Sequence, residues 1–288
     1  DEIITTPFTF IATAETIALM KAKPVFVDIE SDTFNIDANL IEAAITDKTK
    51  AIMPVSLYGQ PADMDEINVI AKKHNLQVII DGAQAFGATY KDQSEVHHCD
   101  IYTTSFFPAK PLGCYGDGGA VFTNNNEYAE KMKMMRLHGQ NKRYHHNYIG
   151  MGGRLDTIQA AVLLAKFPHY STEIEVRQAV AEKYSQALQD SVLTPQLKTD
   201  RTSVWAQYTV RVQNRGQVQG SLKQAGIPTS VHYPMPLHLQ ECFQYLGLKQ
   251  GDFPISENAS EEVMSLPMNP FLTDEEIQYV AAKVKGVA

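Results

Sequence analysis

Apolar, strand-like runs alternate with helix-like segments through the first half of the chain, and this alternation constrains the fold more than any other feature. Residues 76–81, for example, are a largely apolar run that ends in an acid, which is typical of a buried parallel strand. Because parallel strands are joined by crossover helices, the alternation predicts an α/β fold with a mainly parallel sheet covered on both faces. The predicted strands are residues 2–6, 24–28, 50–56, 76–81, 101–106 and 119–123, and the predicted helices are residues 12–21, 37–45, 64–74 and 126–137.

The pattern changes after residue 156, where longer helical segments replace the alternation. We expect a large domain over residues 1–168 and, over residues 169–288, a linking helix followed by a smaller α/β domain. Trp205 is expected to fill the core of the small domain, and residues 198–203 are expected to form a mobile surface loop. The predicted helices here are residues 156–165, 172–188, 217–225 and 274–285, and the predicted strands are residues 205–212 and 229–233.

A single lysine, Lys110, stands between an apolar strand-like run and a series of glycines. Loss of solvation lowers the pKa of a lysine, and the neutral amine is a nucleophile that can form a Schiff base. The glycines that follow would let a flat cofactor approach the backbone closely. On this segment alone, a surface lysine in a glycine turn explains the pattern equally well.

A pyridoxal phosphate site also needs a carboxylate beside the pyridine nitrogen, and Asp81 is suitably placed to supply it. Asp81 ends the apolar run at 76–81, and ligands of open α/β sheets bind at the carboxyl ends of the strands. A helix cap or a turn is the alternative role for this aspartate. Gln84, three residues later, could hydrogen-bond the ring hydroxyl, and residues 7–13 offer an aromatic ring and a hydroxyl that opens a helix.

Five motifs resemble those of the DegT/DnrJ/EryC1/StrS family of sugar aminotransferases, and the similarity extends over essentially the whole chain. The resemblance implies the aspartate-aminotransferase-like fold (fold type I) of pyridoxal-phosphate enzymes. It also implies pyridoxal 5'-phosphate as the cofactor and a homodimer that builds its active site at the subunit interface. The motifs are residues 8–13, 79–87, 105–119, 154–161 and 232–234.

The same resemblance implies a role for each matching residue. Lys110 corresponds to the lysine that holds the cofactor as a Schiff base, and Asp81 to the partner of the pyridine nitrogen. Thr13 is a weaker candidate for the phosphate, because capping of the following helix would explain it equally well. The remaining cofactor contacts implied are Gln84 to the ring oxygen, Phe10 stacked on the ring, and Ser105 bound to the phosphate.

Residues 110–115, 139–146 and 231–240 also resemble one subgroup of that family. This subgroup aminates UDP-2-acetamido-2-deoxy-3-oxo-glucuronic acid at C3 with glutamate as the amino donor, on the route to bacterial surface polysaccharides. A uronate carboxylate and a diphosphate call for cationic and hydroxyl donors, which arginine, tyrosine and histidine supply. The candidate substrate contacts are Tyr233, His232, Arg143, Tyr144 and His238, and packing is an open alternative for the histidines.

Three other functions remain open. A different keto-sugar nucleotide, linked to dTDP or UDP, could be the substrate. A sugar 3-dehydratase is disfavoured, since those enzymes carry histidine at the position of Lys110. A cofactor-binding protein that regulates without turnover would belong to a different functional class.

The composition excludes several classes of function. A formal net charge of −8 without a basic arm argues against a nucleic-acid partner, and no apolar run is long enough to predict a membrane span. Three cysteines without a CxxC pair predict neither disulfides nor a metal site, and suit the reducing cytoplasm. Cys114, close to Lys110, is expected to be a small apolar packing residue.

Two features depart from the family pattern. The chain opens at Asp1 within a predicted strand, which suggests that a preceding segment is missing, including a turn that helps to hold the cofactor phosphate. Gly152 stands where relatives usually have an asparagine that reaches the phosphate of the neighbouring subunit. Since glycine offers no side-chain donor, we expect either that a water takes the place of the asparagine or that this chain holds the phosphate more weakly.

Overall fold

The computed structural model describes all 288 residues and contains a central six-stranded sheet with the order β2–β1–β3–β4–β7–β8. Every neighbouring pair in it is parallel except β7 and β8. The predicted parallel α/β sheet is therefore confirmed, with strand ends displaced by one to four residues. The strands are β1 (Glu2–Thr5), β2 (Lys23–Phe26), β3 (Thr49–Ile52), β4 (Gln77–Asp81), β7 (Ile101–Ser105) and β8 (Gly119–Phe122), and a small hairpin of β5 (Thr89–Tyr90) and β6 (Gln93–Ser94) lies between β4 and β7 in the chain.

Four helices connect or flank these strands. The Asp37 side chain accepts a hydrogen bond from the Asn39 backbone N–H and so caps the helix that follows it. The helix that it caps soon tightens into a 3₁₀ turn at Glu42–Ala44. The helices are α1 (Ala12–Leu19), α2 (Ala38–Ile41), α3 (Met64–His74) and α4 (Asn126–Arg136).

A single long helix, α5 (Thr157–Leu188), replaces the two helices predicted for residues 156–165 and 172–188. The prediction was wrong at Pro168, which lies inside the helix rather than between two helices. Leu163 and Tyr170, one on each side of the proline, are buried in the same apolar cluster. Because both residues pack in one cluster, the helix continues past Pro168, although a proline cannot donate the backbone hydrogen bond of a helix.

The second half of the chain forms a smaller α/β unit. Its strands β11 (Tyr208–Arg211) and β12 (Val263–Leu266) pair antiparallel, and an exposed hairpin of β9 (Gln140–Lys142) and β10 (His145–His146) precedes α5. The strand predicted at 229–233 is absent, since only Ser230 forms an isolated bridge there. The remaining helices are α6 (Arg215–Gln224), α7 (Pro254–Glu262) and α8 (Asp274–Lys285), of which α7 was not predicted.

Two large apolar cores lie in the two halves of the chain. One comprises 15 residues around the parallel sheet, and the other comprises 17 residues around β11, β12 and the second half of α5. Trp205 belongs to the second core, as predicted. The division between residues 168 and 169 remains a prediction, because it falls inside α5 and because Ala259 and Val263 pack against Phe8 in a third cluster.

The segment predicted to be a mobile loop, residues 198–203, is instead held tightly. Arg201 is buried and donates an ion pair of 2.8 Å to Asp63. Lys198 forms ion pairs with Asp63 and Glu30 at 2.7 and 2.9 Å. The charged side chains of this segment are thus used for contacts within the chain, and the prediction was wrong. None of the helices combines the length and the apolar composition that crossing a bilayer requires.

Candidate functional site

The candidate site lies at the carboxyl end of the parallel sheet, where three connecting segments meet. Asp81 is the last residue of β4, Lys110 lies in the loop after β7, and Thr13 lies in the first turn of the helix that follows β1. Parallel strands bring residues from distant parts of the chain to one edge, which is where open α/β sheets bind ligands.

The Asp81 carboxylate is held by two hydrogen bonds. Its Oδ2 atom accepts the Thr13 hydroxyl at 2.6 Å, and its Oδ1 atom accepts the Ala83 backbone N–H at 3.1 Å. The Thr9 hydroxyl lies 3.0 Å from that of Thr13 and completes a short chain. The Thr13 side chain does not cap α1, because the cap position is Ile11. Since its proton is used on Asp81, Thr13 orients the carboxylate and has no proton to offer a phosphate.

Lys110 is partly buried, and its Nζ atom forms no hydrogen bond or ion pair with the chain. Burial lowers the pKa of the Lys110 amine, and the nearby Asp81 charge opposes part of that shift. The loop around it is compact: a Cβ atom on Gly113 would lie 2.7 Å from the Pro108 carbonyl oxygen. This glycine is therefore required by close packing. The Lys110 amine therefore has no hydrogen-bond partner in the chain, and it is close enough to the Asp81 carboxylate for the two charges to interact.

Gln84 links the site to two tyrosines. Its Oε1 atom accepts the Tyr58 backbone N–H at 2.6 Å, and its Nε2 atom donates to the Tyr233 hydroxyl at 3.2 Å. The Phe10 ring lies 6.1 Å from the Tyr233 ring and is 56% exposed. An open aromatic surface therefore stands beside the fixed amide.

The His232–Tyr233 pair joins the small unit to the site. Burial lowers the pKa of His232, as does the positive charge of Lys110, so the imidazole is held neutral. Its Nδ1 atom lies 2.9 Å from the Ser265 hydroxyl on β12. Burial also raises the pKa of Tyr233, and the Asp81 charge adds to that increase. Both side chains thus lie within electrostatic range of the predicted catalytic residues.

The structure does not bring three of the predicted substrate contacts to Lys110 within one chain. Arg143 and Tyr144 form the turn of the exposed β9–β10 hairpin, where the guanidinium lies 5.1 Å from the centre of the tyrosine ring. His238 is buried in the apolar core, 3.0 Å from Glu257 and packed on the ring of Phe253. Core packing, the alternative for this histidine, is what the geometry favours.

Two further residues concern the cofactor phosphate. Ser105 ends β7, and its hydroxyl oxygen accepts the Phe107 backbone N–H at 3.2 Å, so its own proton remains available. Gly152 lies beside His138: an added Cβ atom would be 3.2 Å from the imidazole ring.

Cys114 is buried and forms sulfur contacts with the Phe106 and Gly116 carbonyl oxygens, in agreement with the predicted packing role.

Some residues that shape the site carried no sequence signal. Tyr58 and Ser265 act through hydrogen bonds to a residue that is 174 and 33 positions away: the Tyr58 hydroxyl donates to the His232 carbonyl oxygen, and the Ser265 hydroxyl lies beside the His232 ring. The residues present fit pyridoxal phosphate: a free amine, a fixed carboxylate, an exposed aromatic face and a hydroxyl with a free proton converge on one edge.

Comparison with protein families gives one match, to the DegT/DnrJ/EryC1/StrS aminotransferase family over residues 1–285. The chain is 52% identical to a UDP-2-acetamido-2-deoxy-3-oxo-D-glucuronate aminotransferase of Pseudomonas aeruginosa, covering 98% of this chain and 78% of that relative. It is also 50% identical to a "pleiotropic regulatory protein" of Geobacillus stearothermophilus, covering 99% of this chain and 77% of that relative.

Solved structures give the same result for the fold. The chain superimposes on S. venezuelae DesV in complex with a ketimine intermediate with a TM-score of 0.97 and 36% identity, over 99% of this chain and 78% of that one. Solved structures with similar folds hold the cofactor as pyridoxal phosphate or as its aminated form. The predicted fold type I architecture and the predicted cofactor are thereby confirmed.

Proposed function

This chain belongs to the DegT/DnrJ/EryC1/StrS aminotransferase family, and from that premise we propose that it aminates C3 of UDP-2-acetamido-2-deoxy-3-oxo-glucuronic acid. The chain is a pyridoxal-phosphate-dependent nucleotide-sugar aminotransferase. The observation that carries the finer proposal is the identity of 52% with the P. aeruginosa enzyme, together with an unengaged Lys110 amine beside Asp81. Glutamate is the proposed amino donor.

Each cofactor-holding role is assigned to a residue at the sheet edge. Lys110 would bind the cofactor covalently, Asp81 would hold the proton of its ring nitrogen, and Gln84 would contact its ring oxygen. Phe10 would cover one face of the ring and Ser105 would donate to the phosphate. When bound, pyridoxal phosphate supplies an electron sink for the electrons released as an amino acid loses its α proton.

Lys110 is also the proposed proton carrier. Burial lowers the pKa of its amine, which increases the fraction that is neutral and able to accept a proton at Nζ. The same amine, once protonated, can return that proton to a neighbouring carbon. The Thr13 hydroxyl and the Ala83 N–H hold the Asp81 carboxylate in one orientation, so it would stay directed at the ring nitrogen during both proton transfers.

The proposed sugar contacts divide between two places. Tyr233 and His232 lie at the site of their own chain, where hydroxyl and imidazole groups can bind the sugar. Arg143 and Tyr144 are exposed on the hairpin, and their guanidinium and hydroxyl groups suit a carboxylate or a diphosphate. We assign them to the site of a second copy. His238 has no place in this assignment, because it is buried elsewhere.

A homodimer is the proposed assembly. Two large apolar side chains, three residues apart in the first half of α5, are exposed on the same side of the helix, and exposed apolar patches mark interaction surfaces. They are Leu164 and Phe167, which are 74% and 58% exposed. A dimer through this face would bury them and would supply each site with the partner's hairpin. A cytoplasmic location belongs to the same proposal, since nucleotide sugars and glutamate are cytoplasmic metabolites.

A second candidate function is regulation, favoured by the 50% identity to the G. stearothermophilus protein described as a pleiotropic regulatory protein. The two functions differ in turnover. A regulator would bind pyridoxal phosphate without passing nitrogen to a sugar, whereas an aminotransferase completes both half-reactions.

The test is a visible absorption spectrum of the purified chain with pyridoxal phosphate, then with glutamate, then with a keto-sugar nucleotide. We expect a Schiff-base band that glutamate removes and that the UDP-linked 3-oxo-uronate restores. Restoration only by a dTDP-linked keto-hexose would move the substrate assignment to that class. A band that glutamate does not alter, with no aminated sugar by mass spectrometry, would favour the regulatory function.

A further inference from the structure

Glu95, a carboxylic acid that the proposed mechanism does not use, is buried directly beneath the Asp81 turn. It begins the 3₁₀ turn at Glu95–His98 and is 1% exposed. Its Oε2 atom is buried without a hydrogen-bond partner. A buried carboxylate in that state would be costly, whereas a neutral carboxylic acid is tolerated.

Two contacts connect Glu95 to the main chain at Asp81 and Gly82. The Ser56 hydroxyl donates to Glu95 Oε1, and the Ser56 backbone N–H donates to the Asp81 carbonyl oxygen at 3.0 Å. The Tyr102 side chain lies nearby, and its hydroxyl is 3.4 Å from the Gly82 carbonyl oxygen. A Cβ atom on Gly82 would lie 2.1 Å from the Tyr102 side chain, so the Gly82 backbone packs directly against that ring.

Burial is the main reason why Glu95 is held in its neutral form. Burial raises the pKa of Glu95 to about 8, and the Asp81 charge adds to the increase. The hydroxyl groups of Ser56 and Tyr102 and the positive charge of Arg201 lower the pKa of Glu95, but they offset the effect of burial only in part. The other titratable groups that face it are the Tyr102 hydroxyl and the Cys99 thiol, and both are neutral at physiological pH.

We propose that Glu95, in its neutral form, is a positioning residue for the cofactor. Through its hydrogen bond with Ser56 it fixes the main chain at Asp81, so that the Asp81 carboxylate can meet the pyridine nitrogen. The neutral acid supports the turn without placing a second negative charge beside Asp81. The inference rests on the proposed role of Asp81. It assigns no contact between Glu95 and the substrate or the cofactor.

Glu95→Ala and Glu95→Gln separate positioning from general stability. Glu95→Ala removes the acceptor for Ser56, so we expect the Kd for pyridoxal phosphate to rise about ten-fold at pH 7. Glu95→Gln preserves the shape and the neutral acceptor, so it should restore most of that affinity. Leu222→Ala, in the fully buried core of the small unit, is the matched control: it should lower the melting temperature without changing the Kd.

Each outcome decides the proposal. It is overturned if Glu95→Ala binds the cofactor as tightly as the wild type, if Leu222→Ala weakens binding equally, or if Glu95→Gln is as weak as Glu95→Ala. If Glu95→Ala does not fold, Ser56→Ala decides, with a weaker Kd expected and an unchanged Kd contradicting the proposal. Because no sugar is present in the binding measurement, an error in the proposed substrate would leave this result unaffected.

Discussion

The Thr13 hydroxyl donates a 2.6 Å hydrogen bond to Oδ2 of Asp81 and so connects the first turn of α1 to the end of β4. The two residues are 68 positions apart in the chain. A carboxylate that must keep a ring nitrogen protonated works best when its direction is constant, and this bond restricts it. We therefore propose that Thr13 acts on the cofactor through Asp81, a role different from the phosphate contact that its position in the motif suggested.

Replacement of Thr13 by valine should weaken cofactor binding. Thr13→Val keeps the shape of the side chain and removes the hydrogen bond to a charged acceptor, so the Kd for pyridoxal phosphate should rise about ten-fold. Titration followed by absorbance measures it. Thr16→Val is the control, because the Thr16 hydroxyl bonds only to carbonyl groups of the same segment. Equal effects of the two substitutions would contradict the assigned role.

Replacement of Lys110 should abolish the Schiff-base band and turnover. Lys110→Ala removes both the covalent anchor and the proton carrier, so kcat should fall by at least about a thousand-fold. Lys133→Ala on α4, where the lysine forms a surface ion pair with Glu130, should change neither the band nor kcat. Turnover of Lys110→Ala at the wild-type rate would show that another group carries the proton.

The unloaded chain should become less stable between about pH 4.5 and pH 8 because of Glu95. In this window the folded state retains a proton that the unfolded state releases, since burial raises the pKa from 4.5 to about 8. The free energy of unfolding therefore decreases as pH rises, by an amount on the order of 5 kcal/mol.

Glu95→Gln should remove this slope, which urea denaturation at several pH values will detect. The exposed acid Glu130 provides the control, since Glu130→Gln should leave the slope as it is in the wild type. A wild-type slope that persists in Glu95→Gln would mean that another group titrates in the folded state.

An asparagine at position 152 should strengthen cofactor binding if the family's phosphate contact explains the departure at Gly152. The backbone there accepts a side chain, and the His138 ring at 3.2 Å needs to shift by only a few tenths of an ångström. We expect Gly152→Asn to lower the Kd for pyridoxal phosphate about three-fold. Gly153→Asn, whose Cβ atom would have no neighbour closer than 3.6 Å, is the control for a general effect of the amide. No gain at position 152 would contradict the prediction.

Much of the fold could be predicted because its signals are local. The apolar run that ends at Asp81 forms β4, and the helices at Met64–His74 and Asp274–Lys285 have the predicted ends. Periodicity and turn residues determine such elements from short stretches of sequence. The strand predicted at 229–233 is reduced to a single antiparallel bridge between Ser230 and Ser265 of β12, and His232 contacts the same serine through its side chain.

The sequence by itself determined the fold class and identified Lys110 and Asp81 as the candidate lysine and acid of the site, since each lies in a motif whose residues are close in the chain. Only the tertiary structure decided how those groups are held: Thr13 bonded to Asp81, His238 buried beside Glu257, and Glu95 beneath the Asp81 turn. These relationships join residues whose separation in the sequence is unrelated to their distance in the fold. Burial and hydrogen bonding depend on what the folded chain brings together, and no local pattern encodes that.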